Sequence, residues 1–129
     1  MVREYTSGTN FSFERGRIRV DLSVRKVGNV NILDLKGPLR IGEGEQKFKD
    51  QIRTLVESGE KNLAVNLASV PMVDSSGIGA FVRSHKMLKE VGGRFALFAP
   101  TKMVRQTLKM VGLDRFLVMY EDEASALAG

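Results

Sequence analysis

The sequence predicts an α/β fold: a mixed β-sheet of four to five strands, with an N-terminal hairpin and about four helices packed against it. Two observations lead to this prediction. Strict alternation of apolar and polar residues opens the patterned part of the chain, and segments of helical period then alternate with apolar strands. The chain has 129 residues, of which 43% are hydrophobic and 27% are charged. These values are ordinary for one globular domain.

The predicted hairpin follows a polar N-terminus. Residues 1–16 have no clear period and are expected to form a flexible extension, which places the domain at 17–129. From Arg17, "RIRVDLSVR" alternates apolar and polar residues as a half-buried strand does. "KVGN" then supplies a turn and "VNILDLKG" a second strand, so the two strands are expected to pair as a hairpin.

A helix and a central strand come next. After the glycine-rich connection "GPLRIGEGE", the segment "EQKFKDQIRTLVESGEK" places apolar residues on one helical face, and Gly59 is a natural end for this helix. The residues of that face are Phe48, Ile52, Leu55 and Val56. "KNLAVNLASV" carries small or apolar residues on both faces, which is typical of a central strand covered by helices.

The second half repeats the alternation of helix and strand. "GIGAFVRSHKMLKEVGG" and "TKMVRQTLKMVG" have helical spacing, with Thr101 as an N-cap for the latter, and a short helix "EDEASALAG" ends the chain. "RFALFAP" and "RFLVMY" are the strands between these helices. The order β-β-α-β-α-β-α-β-α therefore indicates a hairpin followed by right-handed βαβ crossovers.

The composition of the chain limits the cellular compartments and the classes of binding partner that we expect. The chain has no cysteine, no apolar run near the ~20 residues that span a bilayer, and no apolar signal core, so we expect a cytoplasmic protein. The net charge of +5 is concentrated in a basic stretch between Arg83 and Arg115. Such a stretch can attract nucleic acid, an anionic membrane or an acidic protein, but its helical spacing favours an ordinary solvated face.

The segment "VPMVDSSGIGAF", residues 70–81, is the strongest candidate for a functional site. It lacks the glycine that precedes the nucleophile in a hydrolase elbow, and the single histidine, His85, falls on the apolar stripe of the following helix. The chain has no P-loop motif and no metal-ligand spacing. We therefore predict no enzymatic activity, no catalytic residue, no metal and no cofactor.

The physical chemistry of this segment leaves several functions open. In an α/β fold it lies between the end of a strand and the start of a helix, with Ser75 or Ser76 as the expected N-cap. Gly77 and Gly79 would allow another backbone or a phosphate to come close, and the helix dipole favours negative charge there. A capped turn, a phosphate-binding loop and a modified serine all remain possible.

The segment, together with "NLAVNLAS" before it and "KEVGGRFALFAPTKMVRQTLKMVGLDRFLVMYEDEASALA" after it, resembles the STAS domain family. Within that family the likeness is greatest to the bacterial anti-sigma factor antagonists, or anti-anti-sigma factors. The resemblance covers about residues 17–128, and its Asp-Ser-Ser-Gly-Ile-Gly sequence is specific when an apolar helix and a Gly-Gly pair follow it.

The resemblance implies a phosphorylation-controlled binding module. Ser75 corresponds to the serine that is phosphorylated by an anti-sigma factor with serine kinase activity, and a serine phosphatase reverses the modification. The unphosphorylated protein would sequester the anti-sigma factor and the phosphorylated protein would release it. The matching positions for the partner-binding surface are Asp74, Ser76, Gly77, Ile78 and Gly79.

Other partner expectations follow from the same likeness. We expect a monomer or weak dimer, with no direct binding of nucleic acid and no membrane insertion. Many family members carry a Leu-Asp pair after the second strand, whereas this chain has Arg40 where the acid would be expected. This difference bears on the partner's identity rather than on the fold.

Two other functions remain open on the sequence. One is a STAS scaffold subunit of a lipid or anion transport complex, in which the motif docks a protein without phosphorylation. The other is a small-molecule or nucleotide-binding module, in which the glycine-rich helix start holds a phosphate. Only the phosphorylation switch requires a hydroxyl at Ser75.

Overall fold

A computed structural model describes residues 2–3, 11–12 and 21–129. The strands are β1 (Val2–Arg3), β2 (Phe11–Ser12), β3 (Asp21–Val27), β4 (Val30–Lys36), β5 (Asn62–Ser69), β6 (Arg94–Phe98) and β7 (Val118–Tyr120). The helices are α1 (Glu43–Glu57), α2 (Ser75–Glu90), α3 (Lys102–Met110) and α4 (Glu123–Ala128), with a 3₁₀ turn at Leu113–Arg115.

The sheet is mixed, as predicted. Strands β3 and β4 pair antiparallel, from Asp21 opposite Lys36 to Val27 opposite Val30, and form the expected hairpin. Strands β4, β5, β6 and β7 are parallel neighbours in that order, so helices α1, α2 and α3 are the crossovers between them. The predicted fold class is therefore confirmed.

The segment before β3 is described only in part. Strands β1 and β2 lie within the stretch that was predicted as a flexible extension, and each pairs antiparallel with β3. The other residues of that stretch, and the start of the strand predicted from Arg17, lie outside the described residues. The division of the chain at residues 16 and 17 stays a prediction.

Helices α1, α2 and α3 pack on one face of the sheet and enclose the main core. Phe81 of α2 lies at its centre, fully buried, with its ring edge-on to Phe48 at 5.8 Å and tilted against Phe95 at 6.5 Å. Burying an aromatic side chain of this size contributes about 1.5–3 kcal/mol relative to exposing it. These contacts fix α2, the helix that begins within the candidate motif, between α1 and the sheet.

Helix α4 covers a smaller apolar cluster on the opposite face. Its residues are Val30, Ile32, Ala64, Phe98 and Ala126. The central strand β5 is thus covered on both faces, as its composition predicted. Arg25 ties α4 to the sheet, since its guanidinium contacts Asp34 at 2.7 Å and Glu123 at 2.5 Å. Hydrogen bonds to Glu123 and Asp34 raise the pKa of Arg25.

Two loops meet at the carboxyl ends of β4 and β5. Leu39, after β4, forms a parallel bridge with Val73, after β5. The Leu39 N–H donates to the Met72 carbonyl at 3.0 Å, and the Asp74 N–H donates to the Leu39 carbonyl at 3.1 Å. Because these bonds extend the pairing of the two strands beyond the sheet, the start of α2 is held at a fixed position beside the β4–α1 loop. Within the described residues, no helix is long and apolar enough to cross a membrane.

Candidate functional site at the start of helix α2

The carboxylate of Asp74 organises the start of α2. Its Oδ1 accepts hydrogen bonds from the Ser76 N–H at 2.9 Å, the Gly77 N–H at 3.1 Å and the Ser76 hydroxyl at 2.8 Å. Its Oδ2 accepts from the Ile41 N–H at 2.9 Å. One side chain therefore caps the helix and also holds the neighbouring loop.

The predicted N-cap was wrong by one or two residues. The sequence indicated Ser75 or Ser76, but the helix begins at Ser75 and Asp74 is the cap, with extended backbone angles. Aspartate and serine are comparable N-caps, but the charge of a carboxylate is additionally favoured at the positive end of the helix dipole. The serines are thereby released from the capping role.

Asp74 is ionised at neutral pH. Partial burial raises the pKa of its carboxyl, but the hydrogen bonds from Ile41, Gly77 and Ser76 stabilise the charged form and outweigh burial. The net result is a pKa below the usual value for aspartate. The site therefore carries a fixed negative charge beside the two serines.

The two serines differ in what their hydroxyls do. Ser76 is half-buried, and its hydroxyl donates to Asp74. Ser75 is exposed, and its hydroxyl has no hydrogen-bond partner among the described residues. An enzyme could therefore reach the Ser75 oxygen without breaking the cap, whereas reaction at Ser76 would remove one of the hydrogen bonds to Asp74.

The two glycines also differ. A Cβ at Gly77 would lie 2.7 Å from the backbone oxygen of Leu39 and 3.2 Å from its Cγ, so only glycine allows α2 to approach the β4–α1 loop this closely. A Cβ at Gly79 would meet only the side chain of Arg83, with Nη1 at 3.3 Å. The predicted close approach of a backbone therefore occurs at Gly77.

Ile41 lies beside the start of α2, and the sequence reasoning did not single it out. Its side chain is 81% exposed although its N–H is bonded to Asp74. Arg40 before it is exposed, and Ile78 on the first turn of α2 is half-buried. The one feature of the sequence that could have identified Ile41 is that it is a large apolar residue in an otherwise polar, glycine-rich loop. The same pattern also occurs in loops without function.

His85 lies away from the serines. It is half-buried, and its ring packs against Phe116 at 4.7 Å between centroids, tilted by 60°. Ten residues of helix separate it from Ser75, a rise of about 15 Å. The described part of the chain contains no cluster of histidine, aspartate or glutamate suited to a metal ion.

The STAS domain family matches residues 21–126 of the sequence. The chain belongs to this family. The match covers β3 to α4 and includes the Asp74 motif, so the resemblance expected from the sequence is confirmed.

Sequence relatives of this STAS domain are named as anti-sigma factor antagonists. A Thermotoga neapolitana protein, provisionally assigned as such an antagonist, is 32% identical over 72 residues, which are 56% of this chain and 64% of that relative. The chain thus spans less than two thirds of that relative's length. The anti-sigma F factor antagonist of Paenibacillus polymyxa is 25% identical over 91 residues, 67% of this chain and 78% of the relative.

Solved structures of anti-sigma factor antagonists have folds similar to that of this chain. A crystal structure of a provisionally assigned anti-sigma factor antagonist from Thermotoga maritima has a TM-score of 0.76 and 27% identity, covering 83% of this chain and 92% of the other. SpoIIAA of Bacillus in its phosphorylated form has a TM-score of 0.66 at 23% identity, covering 83% of this chain and 96% of the other. At that identity the likeness to SpoIIAA shows the fold alone.

The different surroundings of Gly77 and Gly79 predict opposite outcomes for the same substitution. Gly77→Ala should lower the free energy of unfolding by about 1–3 kcal/mol, because its Cβ would overlap the Leu39 carbonyl. Gly79→Ala is the matched control and should be neutral or stabilising by up to about 1 kcal/mol, because the Arg83 side chain can move and alanine favours helix. Urea denaturation of both variants measures this, and equal costs would contradict the close approach at Gly77.

The role of Asp74 predicts a pH-dependent loss of stability. Asp74→Asn keeps one acceptor oxygen but turns an NH₂ group toward a donor, so it should cost about 1–2 kcal/mol at pH 7. Because the folded pKa of Asp74 is lowered, its stabilisation is present above the unfolded pKa and is lost as the pH falls through the folded value.

The difference between wild type and Asp74→Asn should therefore shrink as the pH falls below about 4. Denaturation midpoints between pH 7 and pH 2 test this. Asp50→Asn, which removes an exposed helix-surface carboxylate paired with Arg53, is the control and should change stability by less than about 1 kcal/mol. A difference for Asp74→Asn that stays constant with pH would contradict the ionised cap.

Proposed function

We propose that this STAS domain is an anti-sigma factor antagonist controlled by phosphorylation of Ser75. In its unphosphorylated form it sequesters an anti-sigma factor that is also a serine kinase, and phosphorylation of Ser75 releases that partner. A serine phosphatase restores the binding form. The protein acts in the cytoplasm as a binding module and as a kinase substrate, without a catalytic residue of its own.

The observation that carries this proposal is the difference between the two serine hydroxyls. Ser75 is exposed without a hydrogen-bond partner among the described residues, while Ser76 donates to the capping carboxylate. Relatives named as anti-sigma factor antagonists support the wider role of an antagonist. Ser75 is therefore the substrate, and Ser76 is a structural residue.

The proposed partner-binding surface surrounds Ser75. Of the residues expected from the sequence it includes Asp74, Ser76, Ile78 and Gly79, while Gly77 is buried against Leu39 and supports them from beneath. The structure adds the exposed side chain of Ile41. Ile41 offers apolar area for a partner to bury, and the exposed bases of α2 (Arg83, Lys86 and Lys89) favour a partner with an acidic face. A partner that binds to this surface must cover the Ser75 hydroxyl.

Phosphorylation is strong enough to reverse such binding. A phosphate adds a charge of about −1.5 to −2 at the centre of the proposed contact. Burying an unpaired charge there costs several kcal/mol, which corresponds to a loss of affinity of roughly tens- to hundreds-fold or more. The fold itself tolerates the phosphate because it lies at the positive end of the α2 dipole.

Incubation with candidate ATPase-fold kinases from the same cell and ATP tests the proposal, with phosphate mapped by mass spectrometry. We expect one phosphate on wild type and on Ser76→Ala, located at Ser75, and none on Ser75→Ala. Ser75→Ala should remain bound to the kinase in the presence of ATP.

Phosphate at Ser76 alone would contradict the assignment. Stable binding to a kinase without any modification would contradict it as well, and would favour a scaffold role. Wild type with ATP omitted is the control for binding without transfer.

A further inference from the structure

Arg83 lies on the same stripe of helix α2 as Ser75. Ser75, Gly79 and Arg83 succeed one another at a spacing of four, so each is a neighbour of the next in a row that winds by about 40° per step around the helix. Long side chains on a helix point back toward its N-terminus. The side chain of Arg83 is thereby directed along this stripe toward Ser75.

Gly79 leaves that stripe open. The Arg83 nitrogens Nη1 and Nη2 lie 3.3 Å and 3.7 Å from the point that a Cβ of residue 79 would occupy. The guanidinium has therefore folded back over Gly79, one turn nearer to the start of the helix than its own Cα. From Gly79 to Ser75 is a further rise of about 6 Å.

Arg83 is held only loosely where it lies. Its side chain is 57% exposed, and the carboxylate nearest its guanidinium within the described part of the chain, that of Glu45, is 3.8 Å away, beyond hydrogen-bond range. Glu45 also contacts Lys49 at 2.9 Å. The same Glu45 oxygen is buried without a hydrogen-bond partner among the described residues, so Lys49 would remain as its counter-charge if Arg83 moved away.

We propose that Arg83 is an internal counter-charge for a phosphate on Ser75. The inference rests on the proposed function, since it requires a phosphate at that hydroxyl. Phosphoserine carries about two negative charges and three acceptor oxygens, and a guanidinium presents paired N–H donors that fit them. On phosphorylation, Arg83 exchanges its loose contact with Glu45 for the phosphate by extending along the open stripe over Gly79.

This exchange stabilises the phosphorylated form. A phosphate held against its own helix is ordered, and part of its charge is neutralised from within the protein. Arg83 also leaves the basic face of α2 that the unphosphorylated protein presents to an acidic partner. The modification would thus change two features of the binding surface, by adding a negative charge and by withdrawing a positive one.

Other charged groups lie on the segments that meet near the start of α2. Asp74 is adjacent and negative, Arg40 is exposed on the β4–α1 loop, and Lys102 is exposed at the start of α3. Helix α3 begins beside the motif because the Thr101 hydroxyl donates to the Val70 carbonyl at 3.1 Å. Arg40 is the main alternative to Arg83 as the counter-charge for a phosphate on Ser75, so the test must distinguish the two arginines.

The experiment installs phosphoserine at position 75 during translation and follows its ³¹P chemical shift against pH. A positive charge about 6 Å away in a water-like dielectric lowers the second pKa of the phosphate by about half a unit. Arg83→Gln should therefore raise that pKa by about half a unit or more. Lys86→Gln, which removes an exposed charge about 16 Å along the same helix from Ser75, should leave it within about 0.2 units.

Thermal unfolding supplies a second readout. Four proteins form a double-mutant cycle: serine or phosphoserine at position 75, each combined with arginine or glutamine at position 83. Phosphoserine should raise Tm more in the proteins that have Arg83 than in those that have glutamine there. Additive effects in this cycle, or an unchanged phosphate pKa in Arg83→Gln, would overturn the proposal. So would a pKa that responds to Arg40→Gln and not to Arg83→Gln.

Both measurements use phosphoserine that no kinase has added. A failure to find a kinase for Ser75 would therefore leave this test intact. Conversely, absence of coupling to Arg83 would leave the phosphorylation switch standing with the helix dipole as the main support for the phosphate.

Discussion

The hydrogen bonds of the Asp74 carboxylate hold the candidate site in one arrangement. The carboxylate joins two distant parts of the chain: the first turn of α2, including the Ser76 hydroxyl, and the backbone of the β4–α1 loop. Because both of its oxygens are used, the carboxylate cannot be replaced by a single-acceptor group. Gly77 makes this arrangement possible, since any side chain there would push α2 away from Leu39.

The chemical difference between adjacent serines follows from this constraint. The cap draws in the hydroxyl of Ser76 and leaves the hydroxyl of Ser75 facing solvent. The proposed modification of Ser75 therefore needs no special recognition of sequence by a kinase, because of these two hydroxyls only that of Ser75 is available without disturbing the cap. The same geometry puts the negative charge of Asp74 next to Ser75, the proposed phosphate acceptor.

Much of the fold was predictable because it depends on local pattern. The alternation in "RIRVDLSVR" and the apolar character of "KNLAVNLASV" on both faces each reflect burial, and burial was observed as expected for the described residues. The cap was not predictable in the same way. Three adjacent residues, Asp74, Ser75 and Ser76, can all cap a helix, and the choice among them depends on where the helix begins.

The contact between the β4–α1 loop and the Asp74 motif could not be predicted from the sequence, for a different reason. Ile41 and Leu39 reach the motif through the parallel pairing of β4 and β5, which brings together residues more than thirty positions apart. The approach of Arg83 over Gly79 was also hidden, since a glycine in the first turn of a helix has several explanations. Both features require the three-dimensional arrangement.

The central claim is that one exposed hydroxyl controls partner binding. Isothermal titration of an ATPase-fold anti-sigma factor from the same cell, against the protein with serine or phosphoserine at position 75, tests it most directly. The account predicts tight binding of the serine form and an affinity at least about tenfold lower for the phosphoserine form. Equal affinities for the two forms would contradict it.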